Sequence, residues 1–253
     1  MNPEFFFMLN AVLVSRLVFL FRDGPLTTGG LFFMLTVQAV GLLAYQPGIA
    51  WAILFVLLLV NGLAFHRLEK NRSSSKGLRL LSLAVQIVLL SVFFSPWLGI
   101  SFNGEIFASL SGIGRFSILV SLLERICRPW SSVVLMGGLL VSNEANHLLR
   151  LLLAGLRVGP EAGAGNSSVM TAADRREYNT GRVIGLLERV IVYVAVLTDQ
   201  IAAIGLVLAV KGLARFKEMD NRPFAEYVLV GTLLSLLLAV VIALLVKSLV
   251  YNL

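Results

Sequence analysis

The residues of this chain best placed to do chemistry are acidic side chains set inside apolar sequence. Glu188 and Asp199 both fall in the segment 183–210. Read as one continuous helix, Gly185, Glu188, Val192, Ala195, Asp199, Ala202, Leu206 and Ala209 share a stripe, because their spacing alternates between three and four. Small residues on such a stripe let a neighbouring helix approach closely. The two carboxylates then lie about three turns apart on one face, with Asp199 and Gln200 near the middle of the segment. An acidic side chain at the centre of a bilayer costs about 2.5–3.5 kcal/mol by insertion scales, so it is rarely idle. The stripe is expected to serve a cation, a proton or a polar cargo. The alternative is an assembly face, on which Asp199 is neutral or meets an Arg from another helix. Either way Asp199 is expected to be buried among helices.

A second constellation follows Ser131: Asn143, Glu144, Asn146, His147 and Arg150. At 100° per residue, Asn143, Glu144, His147 and Arg150 fall on one broad polar face, while Leu149, Leu152 and Leu153 point elsewhere. A His–carboxylate pair can relay protons, and the same face can also pack between helices or lie along an interface. Two ligands are too few for a metal site, and the spacing is not that of a zinc protease. Adjacent residues on a helix point about 100° apart, so Glu124 and Arg125, like Glu188 and Arg189, are expected to find partners on other helices or at headgroups. There is no nucleophile elbow, no helical Asp-x-x-Asp pair and no phosphate loop, so no catalytic residue and no cofactor is assigned. Whether the chain is an enzyme is uncertain, and the balance is against it.

These residues belong to a strongly apolar chain. Its 253 residues are 58% hydrophobic and 14% charged. From Leu26 to Phe65 there is no charge, and Tyr45-Gln46-Pro47-Gly48 breaks that run into two stretches of bilayer length. A water-soluble domain needs a solvated face that such a run lacks. The fold class expected is all-α, a polytopic transmembrane bundle of about eight segments. They run roughly over 5–21, 29–45, 49–65, 80–98, 105–123, 131–157, 183–210 and 224–250. Two regions differ in character: 1–104, with about four plain hydrophobic spans, and 105–253, where ionisable residues enter the apolar segments. Pro96 is expected to stop or kink the fourth segment, and Pro223 suits the first turn of the last. The N-terminus has no basic n-region and no cleavage site, so the first segment is expected to remain in the mature protein.

The net charge of +7 is carried mainly at segment ends, which points to anionic headgroups and topology and excludes nucleic acid. Arg67, Lys70, Arg72, Lys76, Arg79, Lys211 and Arg215 are expected at headgroup level. The Arg67–Arg79 loop is expected in the cytoplasm, with Lys211 and Arg215 on its side of the membrane and Arg182 on the other. The single Cys127 excludes an intrachain disulfide.

The blocks Gly181-Arg182-x-Ile184-Gly185-x-Leu187-Glu188-Arg189, Lys211-Gly212-Leu213-Ala214-Arg215-Phe216 and Glu226-Tyr227-x-Leu229-x-Gly231-Thr232 carry a likeness. With Gln200-x-Ala202-Ala203-Ile204-Gly205 between them, they resemble the C-terminal region of an uncharacterised family of bacterial integral membrane proteins. The resemblance covers about a quarter of the chain and implies a bacterial inner-membrane location and no particular activity. The functions that remain are a transporter or channel for an ion or small polar cargo, a non-catalytic subunit that assembles with or anchors a partner complex, and a membrane-embedded enzyme acting on lipid or isoprenoid substrates. The first is favoured, with Glu144, His147, Glu188, Asp199 and Gln200 along a polar path. The expected partners are the lipid bilayer and either further copies of the chain or another membrane subunit.

Overall fold

A computed structural model describes residues 2–20, 24–71, 76–104, 126, 128–156, 172–214 and 222–251. The fold is all-helical among the described residues, as composition and periodicity predict. Its contacts divide into two compact units, 1–139 with 249–253, and 140–248. The fifth expected segment, 105–123, lies outside the described residues, as do Arg72, Arg125 and Arg215.

In the first unit, helix α1 (Pro3–Ser15) packs against α2 (Thr28–Leu42), α4 (Lys76–Phe93) and α5 (Pro129–Leu139), and α3 (Ile49–Asn71) packs on α2 and α4. Asn2 caps α1, its side chain accepting from the Glu4 N–H, and Pro3 opens the first turn where its missing donor costs nothing. Gly41 permits the close approach of α1 and α2, since a Cβ there would meet the Ala11 Cβ at 2.8 Å. The Tyr45–Gly48 break falls between α2 and α3, and α4 ends at Phe93, ahead of Pro96. Buried Met8, Val12, Met34, Leu42, Leu54 and Leu90 form the apolar interior.

The second unit begins with a π-helical turn (Leu140–Glu144) that continues α5 into α6 (Ala145–Gly155). Helix α7 (Ala172–Leu197), α8 (Ile201–Ala214) and α9 (Arg222–Tyr251) follow. Arg189 meets Ser235 and Asp199 meets Lys247, so α7 and α9 run in the same direction. Glu188 meets Lys211, so α8 returns antiparallel to α7.

That return corrects the expectation of one helix over 183–210. The chain reverses at Thr198-Asp199-Gln200. Asp199 adopts φ +59°, the left-handed conformation that ends helices and that Asp tolerates better than most residues. Its N–H donates to the Val196 carbonyl at 3.3 Å and the Gln200 N–H to the Ala195 carbonyl at 2.7 Å. These are the two bonds of a Schellman cap. Gly185 through Ala209 is therefore not one stripe. Arg182 and Lys211, expected on opposite sides of the membrane, belong to the same end of a hairpin.

Among the described residues, two helices are long and apolar enough to cross a membrane: Ile49–Lys70 in α3 and Val228–Tyr251 in α9. By length and composition the described residues thus support two of the about eight expected segments; the apolar stretches of α2, α4 and α8 are shorter. Large apolar side chains nonetheless point outward at helical spacing: Ile49, Ile53, Val56, Val60 and Leu63 on α3, and Leu81, Val85, Val88 and Val92 on α4.

Candidate functional site

The second unit holds a polar cavity of about 220 Å³ between α6, α7, α8 and α9. Asn146, Arg182, Arg189, Lys211, Thr232 and Ser235 supply its polar lining. The π turn contributes to its construction. Such wider turns disturb the regular ladder of carbonyl acceptors, and here the Val141 carbonyl accepts from Arg189 Nε at 3.1 Å. Arg189 Nη1 also donates weakly to the Ser235 hydroxyl at 3.4 Å. The arginine is 5% exposed. Among the described residues no carboxylate stands within ion-pair distance of it. Glu188, the preceding residue, points about 100° away around α7, where Lys211 Nζ holds its Oε2 at 2.6 Å, yet it stays near enough to act on the Arg189 charge. Both members of that pair are mostly buried. Arg182, Glu188, Arg189 and Lys211 thus meet around α7, three cationic and one anionic, and among the described residues the Arg189 guanidinium has no ion-pair partner of its own.

Two glycines keep this cavity open. A Cβ on Gly185 would meet only Arg189 Nη1, at 3.7 Å, and one on Gly231 would meet only Leu153, at 4.0 Å. Glycines on membrane helices usually let another helix pack closely. At Gly185 and Gly231 no helix backbone fills the vacated volume, so the missing side chains leave space.

A second cavity, of about 540 Å³, lies between α7 and α8. Its walls are mainly apolar, with Ile184, Leu187 and Ile191 facing Leu206, Val207 and Val210, and the Glu188–Lys211 pair is its charged lining. It shares Gly181, Gly185 and Lys211 with the polar cavity. A small void between α7, α8 and α9 also touches Glu188, Arg189 and Lys211.

The residues singled out in the sequence do not all converge here. Glu188 lines the apolar cavity beside Lys211. Asp199, expected to be buried among helices, lies instead in the α7–α8 turn with a side chain 74% exposed and paired to Lys247. Gln200 is exposed beside it, its carbonyl accepting from the Ala203 N–H. Glu144 and His147 are buried on the π turn and α6, with Glu144 accepting from the Asn143 amide at 2.9 Å. They do not line the cavity; Asn146, Leu149 and Leu153 of α6 do. Arg67 and Lys70 are exposed near the end of α3, and Lys76 opens α4. No group of three or more His, Cys, Asp or Glu side chains suited to a metal occurs among the described residues.

Arg79 departs from its headgroup-level expectation. It is 2% exposed, with Glu69 Oε1 at 2.8 Å, and donates to the Gly24 carbonyl. Glu69 Oε2 accepts from the Leu26 N–H at 2.8 Å, and Arg16 donates to the Arg79 carbonyl. The Arg79 guanidinium also lies 4.5 Å from the Phe19 ring centre. This buried network clamps the ends of α1, α3 and α4, so the first unit is not plain hydrocarbon. The signal available in the sequence was Glu69 ten residues before Arg79, an acid inside an otherwise basic loop.

Comparison of the chain with protein-family models, with curated proteins and with solved structures gives no match.

Proposed function

We propose that this is a multi-pass integral membrane protein that carries an anionic cargo through its second unit, with Arg189 as the recognising charge. The outward apolar stripes support several membrane segments beyond the two long helices, because water does not tolerate such continuous apolar faces. In this reading α2, α4 and the α7–α8 hairpin lie within the bilayer alongside α3 and α9, giving a helical bundle of about eight membrane segments with those outside the described residues. The bacterial inner membrane is the proposed location, with the Arg67–Arg79 loop and the Arg182–Lys211 end of the hairpin cytoplasmic by the positive-inside bias.

The observation that carries the functional reading is the buried guanidinium. A buried guanidinium with no ion-pair partner among the described residues is costly, and an anion entering the cavity would add to the partial compensation by the neighbouring Glu188. Arg presents a planar fork of donors suited to carboxylate or phosphate oxygens. The acidic residues do not favour a cation path, since Glu188 and Asp199 each already hold a lysine. Proteoliposomes of the full chain test this with two probes, labelled inorganic phosphate and chloride. The wild type should accumulate at least one of them, and Arg189→Gln should abolish the uptake. Equal uptake by both proteins would refute the assignment of Arg189. Absence of uptake by the wild type, with Asp199→Asn or Arg189→Gln releasing a partner chain on native-size analysis, would decide for the assembly subunit instead.

A further inference from the structure

We infer that the ligand of the second unit is an anionic amphiphile: a phosphate-bearing head in the Arg189 cavity and a single acyl chain in the α7–α8 groove. The inference rests on the anion reading of Arg189 and adds the chemical class of the ligand. Three features of the cavities carry it.

The first is continuity. The polar cavity and the apolar groove share Gly181, Gly185 and Lys211, so one molecule can occupy both. Gly185 stands at the junction with no side chain of its own and with no helix packed against it. The second is size. At about 540 Å³ the groove falls within the range of small-molecule sites, far beyond what a phosphate or chloride ion needs. It runs along α7 from Gly181 to Ile191, roughly 15 Å at the helical rise. The third is polarity. Lys211 stands level with Glu188, with which it pairs, and beyond that pair toward the α7–α8 turn the groove is lined by Ile191, Ala203, Leu206 and Val207. A head beside Arg189 and Lys211 would therefore leave its tail directed along the helices, parallel to the chains of a bilayer. A free anion would satisfy Arg189 and leave the groove unused. A neutral lipid would fill the groove and leave Arg189 with no ion-pair partner among the described residues.

The purified full chain in detergent, analysed by native mass spectrometry, separates these cases with four probes. They are palmitoyl lysophosphatidate, its neutral counterpart monopalmitoyl glycerol, glycerol phosphate and inorganic phosphate. The lysophosphatidate should bind about tenfold or more tightly than either palmitoyl glycerol or glycerol phosphate, because chain burial and ion pairing both contribute. Arg189→Gln should remove the advantage over palmitoyl glycerol, and Arg189→Lys should restore part of it. Ala203→Phe, which fills the groove from α8, should weaken the lysophosphatidate and leave glycerol phosphate unchanged. This variant keeps Arg189, so the test survives if the arginine variants do not fold. Equal binding of lysophosphatidate and glycerol phosphate, indifferent to Ala203→Phe, would overturn the amphiphile while leaving the anion site standing. Equal binding of both palmitoyl compounds, indifferent to Arg189, would mean only unselective lipid and would overturn both. Binding of none of the four would do the same.

Discussion

The α7–α8 reversal makes a prediction whose sign distinguishes it from a continuous helix. Asp199 holds φ +59°. For an ordinary L-residue that conformation costs about 1–2 kcal/mol, and Asp pays less because its short polar side chain bonds locally. Asp199→Val restores the full penalty and removes the pair with Lys247. That pair is largely exposed, with side chains at 74% and 42%, so it is worth at most about 1 kcal/mol. The valine variant should therefore lose about 1–3 kcal/mol. Asp199→Gly loses the same pair but relieves the backbone, and should lie within about 1 kcal/mol of wild type. Asp199→Asn keeps the tolerant backbone and should lose no more than the pair. Thermal unfolding of the full chain in detergent, followed by helical circular dichroism, reads the order directly. A loss of 1 kcal/mol corresponds to about 2–4 °C for a chain of 150–250 residues. A continuous helix over 183–210 predicts the reverse, because glycine inside a helix is the poorest of the four, by roughly 0.5–1 kcal/mol relative to alanine. A glycine variant melting well below the valine variant would refute the turn.

Two further outcomes follow from the first unit. Glu69→Gln strands a buried arginine and leaves a weaker acceptor, so it should destabilise by about 3–5 kcal/mol, the range found when one partner of a buried pair is removed; Glu69→Gln melting within a few degrees of wild type would show the network to be dispensable. With Cys127→Ser as background, Ser74→Cys should label from the inside of inverted vesicles and be protected in intact cells, and ready labelling from outside would reverse the proposed orientation.

The helical class and most breaks in the first unit were legible because their determinants are local. Tyr45-Gln46-Pro47-Gly48 and Pro96 carry turn chemistry in their own residues, and α2, α3 and α4 stop or start beside them. The reversal at Thr198-Asp199-Gln200 was not legible, since it contains neither Gly nor Pro and is set by a left-handed aspartate. Missing it put Glu188 and Asp199 on one stripe and separated Arg182 from Lys211. The importance of Arg189 was equally hidden. Its neighbour Glu188 reads as the functional acid, yet the lysine that neutralises Glu188 arrives from 23 residues away across the hairpin. What remains exceptional is the arginine, and that shows only once the carboxylates of the described residues have been placed. Arg79 illustrates the same limit, because a loop arginine and a buried one look alike until Glu69 and Phe19 are found around it.

The central claim, that Arg189 is held for an anion rather than for the fold, is tested most directly by the stability of Arg189→Gln with and without palmitoyl lysophosphatidate. In its absence the variant should lose no more than the two hydrogen bonds to Val141 and Ser235, about 1.5–3 kcal/mol for the shorter with its charged donor and less for the one at 3.4 Å, and the relief of a desolvated charge should offset much of that. Addition of the amphiphile should raise the melting midpoint of the wild type and leave the variant unmoved. A loss of about 3–5 kcal/mol in Arg189→Gln, with wild type and variant both indifferent to the ligand, would make the arginine structural and contradict the account.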